Sequence, residues 1–516
     1  MQTVPLLVLL LLVLSAVLYR RLWSKHNLLP PGPPVRFLTG NLHQRPTSQP
    51  WLTYADWSKQ YGPVVTLRTF HKTEIILNSA RSALDLLDAR SAVYSDRPVS
   101  GRIIARSSMF QLSSMDARFP QYRRMLLAGL NRRATQRYRA AQEQQLTVLL
   151  RGLAKDPEAF LALIQTYVCV CPSLVSLPTA HSYVAAIALR IAYGYQVSAE
   201  KDRFVTLIES ASRAIIALRQ SPFYFELFPF LRFLPSWFPL AEFKRAVAKH
   251  KPVMDAMVSV PFNWAKTKIE SGSHEESFFS HHFRPDESVG DVPQGEEERE
   301  ILKWTSAAIY VGGAHTTTSA IASFFLLMST HPAAQQTAQA EIDRIVGNGR
   351  LLTLDDQKHL PYVTAVLKET LRWAPVAPLG LPHKVTRDDI YDGYLIPKGT
   401  TVIANIWAIT HDPEVYPNPF VFDPARHLGE TPQRDPFDFV FGYGRRVCPG
   451  ATLAEESLFL AIANILAAFS IAKAHDAEGK EVEPNVEWRT ATVTFPTNLR
   501  CLIVPRSPDM LASITM

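Results

Sequence analysis

Cysteine is scarce in this chain: four in 516 residues, at Cys169, Cys171, Cys448 and Cys501. So few, so widely placed, exclude a disulfide framework and point to a reducing compartment. Strong charge of one sign is missing too. The 54 basic and 47 acidic residues leave +7, too diffuse for nucleic acid and suited to an anionic membrane surface or an acidic protein partner. Repeats and internal linkers are lacking, so one large catalytic body is expected, although length alone would allow about three domains. Proline is absent between Glu296 and His331, where Ile301, Trp304, Ala308, Ile309, Ile321, Phe324 and Leu327 recur at helical intervals. That stretch reads as one long buried helix. Its middle, VGGAHTTTS (Val311–Ser319), nevertheless accepts two adjacent glycines, each costing about 1 kcal/mol against alanine.

What is present begins with VPLLVLLLLVLSAVLY (Val4–Tyr19), followed at once by Arg20, Arg21 and Lys25. As a helix this run spans about 24 Å, short but workable for a bilayer. A cleaved signal carries its positive charge before the apolar run. Here the charges follow, so residues 1–20 are expected to be a retained transmembrane anchor with the remainder on the cytoplasmic side. Residues 21–40 form a basic and proline-rich hinge, stiffened by LLPPGPP (Leu28–Pro34), and 41–516 the catalytic body.

Within that body, VVTLRTF (Val64–Phe70) and TEIILNS (Thr73–Ser79) suit strands of a small sheet. Residues 80 to 380 are mostly helical in pattern. The stretch Ser271–Glu298 reads as a solvated loop, and its His274, His281 and His282 lack the fixed spacing of a metal site. After Pro382 come short strands, a proline-rich meander (Asp412–Pro436), a long helix (Thr452–Phe469) and a strand-like tail. The expected architecture is mainly α with a small β subdomain. TYVCVCPSLVSLPTAHS (Thr166–Ser182) breaks a helical pattern without partner ligands for its Cys-x-Cys pair. It reads as a buried loop or, preferably, as a translated intron, since a GT-rich splice donor encodes such Val/Cys alternation.

The strongest local signal is FGYGRRVCPGATLAEESLFLAIANILAAF (Phe441–Phe469). Cys448 precedes Pro449, a residue favoured at the first helical position, and a thiolate there gains from the positive dipole end and free N–H groups. Gly442, Gly444 and Gly450 permit a tight loop and the approach of something flat and bulky. Phe441 can cover the sulfur, and Arg445 or Arg446 can hold an anionic group. A lone buried cysteine is usually just a small packed hydrophobe, but the whole pattern is hard to obtain by chance.

F-x-x-G-x-R-x-C-x-G, filled by Phe441, Gly444, Arg446, Cys448 and Gly450, resembles the heme-binding loop of the cytochrome P450 family. KETLR (Lys368–Arg372) resembles the family's E-x-x-R motif, with Glu369 and Arg372 one turn apart. FDPARH (Phe422–His427) resembles the meander motif whose arginine, here Arg426, completes that ion cluster; Ala425 replaces the usual acidic residue. Pro382–His383 looks like the segment whose histidine binds a heme propionate. VGGAHTTTS occupies the place of the A/G-G-x-D/E-T-T segment on the oxygen side. LLPPGPP is similar to the post-anchor hinge of microsomal members, and WLTYADWSKQYGP with YSDRP to fungal secondary-metabolism members. Only Thr166–Ser182 stands outside the likeness.

The resemblance implies the P450 fold behind an N-terminal transmembrane helix in the endoplasmic reticulum membrane, and a heme-thiolate monooxygenase. Its cofactor is heme b with Cys448 as axial iron ligand, and electrons come from NADPH through a separate flavoprotein, NADPH–cytochrome P450 reductase, with cytochrome b5 as a further partner. Thr316, bonding back to Gly312, and His315, in place of the usual acid, are the expected catalytic pair. Arg123 lies where the family's W-x-x-x-R arginine contacts a propionate, with Phe119 replacing the tryptophan and Arg124 as rival. Phe110, Leu112, Ile309, Gly312, Gly313, Val376, Leu379, Leu381, Thr494 and Phe495 are expected around the substrate. Their apolar character suits a terpenoid or polyketide-like molecule of fungal secondary metabolism. An oxygen-independent heme-thiolate isomerase or dehydratase, and a non-catalytic heme-binding membrane protein, are the competing functions.

Overall fold

The longest helix decides where the other elements pack. The protein is described by a computed structural model over residues 28–98, 113–164, 183–197, 202–220, 228, 231, 233–283, 295–347 and 349–515. The expected anchor, the Thr166–Ser182 stretch and the expected pocket residues Phe110 and Leu112 lie outside the described residues. The main helices are α1 (Pro50–Tyr61), α2 (Arg118–Leu130), α3 (Arg139–Lys155), α4 (Tyr183–Tyr193), α5 (Arg203–Gln220), α6 (Glu242–Glu270), α7 (Glu296–Thr330), α8 (Pro332–Ile345), α9 (Pro361–Trp373) and α10 (Ala451–Ala468).

Glu296, Glu297 and Glu298 place negative charge in the first turn of α7, where the helix dipole favours it. The helix then runs unbroken through Gly312 and Gly313 to Thr330. Pro332 stops it, lacking the N–H a continuing turn needs, and opens α8 instead. α7 packs against α2, α4, α9 and α10. Its Phe324 and Phe325 are fully buried with Phe459, Leu460, Ile465 and Leu466 of α10 in one core. α10 is long and apolar enough to cross a membrane, but 72% of it is buried within the protein. It is a core helix.

The small sheet has the order β1–β2–β6–β3, from β1 (Val64–Thr69), β2 (Lys72–Leu77), β3 (His383–Lys384) and β6 (Thr401–Ala404), with β4 (Asp389–Tyr391) and β5 (Tyr394–Ile396) pairing separately. β1 and β2 are antiparallel with Val65 opposite Ile76, and β6 joins β2 in parallel. β3, antiparallel to β6, fixes His383 opposite Val402.

One expectation fails. Within Ser271–Glu298, Phe278–Phe283 forms a short helix whose Phe278 and Phe279 are wholly buried, and Phe279 meets Phe262 of α6 edge-on at 5.2 Å. α7 already begins at Glu296. Two adjacent aromatics outweigh the polar residues around them, because each ring removes a large apolar area from water.

Candidate active site

Cys448 sits on the loop that leads into α10. Gly444, at φ 49°, is required there: a Cβ would lie 2.6 Å from both the Leu87 carbonyl oxygen and the Ser91 Cβ. The Gly444 N–H donates to Asp88 at 2.8 Å, and the Cys448 N–H donates to the Phe441 carbonyl at 2.7 Å, closing the loop. α10 proper starts at Ala451 behind Gly450, so Pro449 precedes the helix instead of opening it. The Cys448 side chain is accessible, yet protein crowds it on every side.

Burial raises the Cys448 thiol pKa, and the Gly450 N–H and the Arg123 charge only partly offset this. The helix end alone therefore does not make the thiolate expected from sequence. A metal cation at the sulfur would, because metal binding displaces the thiol proton.

Cations gather beside it. Arg123 of α2 donates to the Val447 carbonyl at 2.8 Å, while its neighbour Arg124 is exposed. Arg446 donates from Nε to the Ser95 carbonyl at 2.8 Å and lies 3.9 Å over the ring of Phe119. Phe119 thus supports Arg446 where the family's tryptophan would offer an indole N–H. Arg97, from YSDRP, was not singled out by motif. It is 5% exposed, donates from Nη1 to the Leu381 and Pro382 carbonyls at 2.7 Å, and has a buried Nε without a partner among the described residues. Burial first, then repulsion from Arg446, lowers its pKa to about 9. Arg446 falls to about 10, mainly through burial. Asp96 offsets part of this charge, and the excess suits a further anion.

His383 faces the Tyr94 carbonyl through Nδ1 at 2.7 Å, which places the proton on Nδ1. Burial and then Arg97 hold its pKa at about 3. In the neutral ring Nε2 is an acceptor, so His383 meets a carboxylate only as imidazolium. The arginines need no such change. A heme fits this donor set: a soft sulfur ligand beside buried guanidiniums suited to carboxylates, with the Arg97 Nε lacking a partner.

α7 carries the segment expected on the oxygen side. Thr316 donates from Oγ1 to the Gly312 carbonyl at 2.7 Å, the back-bond expected from its spacing. A Cβ on Gly313 would meet only Ala188 at 3.8 Å, so packing does not demand glycine there. His315 is half-buried, and burial, then the charge of Arg489, lowers its pKa. Its ring is neutral at neutral pH.

The other expected pocket residues come together in part. Ser319 of α7 donates to the Thr494 carbonyl at 2.6 Å, and the Thr494 N–H donates to the Val376 carbonyl at 2.9 Å. Phe495 is buried with Ile309 and Val376 in the main core. Leu379 instead packs with Tyr54, Val65 and Ile76 of the sheet region. Leu381 is 36% exposed and contributes its carbonyl to Arg97. Two surface clefts, one beside Phe262 and Lys266 and one beside Arg139 and Lys358, contain none of these residues.

The E-x-x-R cluster lies behind the Cys448 loop. Glu369 and Arg372 are both fully buried and joined by two bonds of 2.8 Å. Glu369 also accepts from Arg426 at 3.1 Å, the Asp423 N–H at 3.0 Å and His427 at 2.9 Å. Burial pushes the Glu369 pKa up, but hydrogen bonds from His427 and Arg372 prevail and it is lowered. Sequence reading missed His427, although it ends the quoted FDPARH.

The profile described as Cytochrome P450 matches residues 30–498. The cytochrome P450 monooxygenase claR of Ampulloclitocybe clavipes is 37% identical over 94% of this chain and 87% of its own length. Cytochrome P450 monooxygenase 208 of Postia placenta is 37% identical over 98% of this chain and 96% of its own. A cytochrome P450 monooxygenase of Armillaria gallica is 34% identical over 100% and 99%.

Proposed function

We infer that this chain, which belongs to the cytochrome P450 family and is a monooxygenase, oxidises a hydrophobic terpenoid or polyketide-like molecule in fungal secondary metabolism. The family implies a heme, a redox partner and a small-molecule substrate; the partner we propose is NADPH–cytochrome P450 reductase, with cytochrome b5 as a further donor. The observation that carries the reading is Cys448, accessible yet enclosed, with Arg97, Arg123 and Arg446 gathered on one side of it.

Heme, when bound, supplies the iron that activates dioxygen for insertion into a C–H bond. The chain's own residues do the rest. Cys448 would hold the iron, with the Gly450 N–H fixing its sulfur. Arg97, Arg123 and Arg446 would hold and orient the propionates, and Phe119 braces Arg446. Gly312 and Gly313 leave room over the α7 face. Thr316 offers a hydroxyl whose proton is tied to Gly312 and whose oxygen can accept another. His315, neutral and half-buried, can carry a proton on one ring nitrogen and receive one on the other. Ile309, Val376 and Phe495 exclude water.

A membrane-held placement is supported by the surface. Phe37 and Leu38 are 70% and 71% exposed, and Phe233 and Trp237 are 75% and 76% exposed. The Phe70–Phe228 ring pair, at 5.2 Å, brings the two segments to one side. Large aromatics at that exposure suit a bilayer interface, continuing from the anchor proposed for residues 1–20.

The test is the reduced carbonyl spectrum with substrate-dependent NADPH consumption. Wild type should show the thiolate-type Soret band and consume NADPH; Cys448→Ser should lose both. An unaltered band in Cys448→Ser contradicts the ligand assignment. Turnover under argon without NADPH would mark an oxygen-independent isomerase instead.

A further inference from the structure

Four amides of the Cys448 loop close on the loop itself: Gly442 on the Phe439 carbonyl at 3.1 Å, Arg446 on Tyr443 at 2.9 Å, Val447 on Gly444 at 3.2 Å and Cys448 on Phe441 at 2.7 Å. The Gly444 N–H instead leaves the loop and donates to the Asp88 carboxylate at 2.8 Å. Asp88 lies on Leu84–Ala89, a π-helical turn after which the Arg90 N–H reaches back five residues to the Asp85 carbonyl at 3.1 Å. Both ends of that turn are pinned to β4. Tyr391 donates to Asp85 at 2.9 Å, and Arg90 donates to Asp389 at 2.9 Å. Leu86 and Leu87 between them are wholly buried. The Leu87 carbonyl stands so close to Gly444 that it leaves no room for a Cβ there. A rigid turn thus presents one carboxylate to one loop amide.

Resting on the reading of Cys448 as the heme ligand, we propose that Asp88 is a positioning residue for the Cys448 sulfur, acting through the Gly444 N–H. The bonds from Arg446 to Tyr443, Val447 to Gly444 and Cys448 to Phe441 make the loop move as a unit. A hold on Gly444 therefore sets where the sulfur stands. An ionised acceptor gives a stronger bond to an N–H than a neutral one, and the pinned turn has no freedom to follow a drifting loop. Arg123 also holds this loop, at the Val447 carbonyl, but through a long side chain with several rotatable bonds. Asp88 is exposed, so truncating it opens no cavity in the core. Its loss should loosen the sulfur while sparing the fold.

Asp88→Ala and Asp88→Asn are compared with wild type as full chains, with heme and without it. In the heme-loaded chains, loss of the thiolate-type Soret band from the reduced carbonyl complex should be about tenfold faster in Asp88→Ala, the scale of one charge-assisted bond. Asp88→Asn, whose amide oxygen still accepts, should stay within about threefold of wild type. In the heme-free chains, alkylation of Cys448 by iodoacetamide, followed by peptide mass, should quicken in the same order. Equal rates in all three chains overturn the proposal. So does an Asp88→Asn as fast as Asp88→Ala, or a band loss that merely tracks a lower midpoint of chemical unfolding. A wild type without any thiolate-type band would instead sink the functional reading, and the order of alkylation rates would still decide the role of Asp88.

Discussion

Two groups of buried arginines flank the Cys448 loop, and they are built on opposite principles. Arg372 and Arg426 surround a carboxylate: Glu369 accepts from both, from His427 and from the Asp423 N–H. Their remaining donors end on the carbonyls of Thr410, Pro417 and Val421 and on Gln433. Arg97 and Arg446 share one partly committed carboxylate, Asp96, whose charge acts on both. Asp96 also serves Ser113, the Ser114 N–H and Lys384. Arg446 depresses the basicity of Arg97, Arg123 that of Arg446, and one Arg97 nitrogen is left without a partner among the described residues. Arginines closed around an acid hold the fold together. Arginines crowded beyond one shared acid leave positive charge in excess.

Breaking the first group should produce the largest effect. Glu369→Gln leaves Arg372 and Arg426 buried without their counter-ion, and destabilisation of about 3–5 kcal/mol is expected from chemical unfolding. The sign of the pH dependence follows from the lowered Glu369 pKa. Its stabilisation is full above the ordinary value of 4.5 and is lost as pH falls through the lower folded value. Wild type should therefore lose stability on acidification more steeply than Glu369→Gln; parallel acid limbs would contradict the assignment.

The second group should respond less in stability and more in heme binding. Arg97→Leu relieves repulsion with Arg446 but gives up the bonds to the Leu381 and Pro382 carbonyls, so the heme-free protein should lose less stability than Glu369→Gln does. Heme retention should fall by about tenfold, measured as transfer to apomyoglobin, for loss of one charge-assisted contact. A variant that unfolds while retaining heme normally would erase the contrast. The smallest effect sharpens it. Ala425, where the family carries an acid, is exposed, and Asp423 already caps this turn through the Ala425 N–H at 3.0 Å. Ala425→Glu should shift stability by less than about 0.5 kcal/mol.

What the sequence disclosed divides along the same line. The Cys448 loop, Glu369–Arg372 and the Thr316–Gly312 back-bond are local patterns, fixed by spacing of a few residues along a helix or turn, and they were legible. The α7 boundaries were also legible, because Glu296 and Pro332 mark its ends chemically. Arg97 was not. It acquires its role from partners far away in the chain, Arg446 and the Leu381 carbonyl. No periodicity encodes such meetings. His427 stood inside a quoted motif, yet only the folded turn directs its ring to Glu369. For Cys448, spacing supplied the sign of one contribution only: the Gly450 N–H at the helix end lowers its pKa, and the burial that outweighs it comes from packing.

Everything rests on the Cys448 sulfur as the axial ligand. Electron paramagnetic resonance of the oxidised, substrate-free protein reads that bond directly. Wild type and Cys501→Ser should share the low-spin thiolate–heme signal, and Cys448→Ser should lose it. An unchanged signal in Cys448→Ser, or a nitrogen-ligated signal in wild type, would contradict the account.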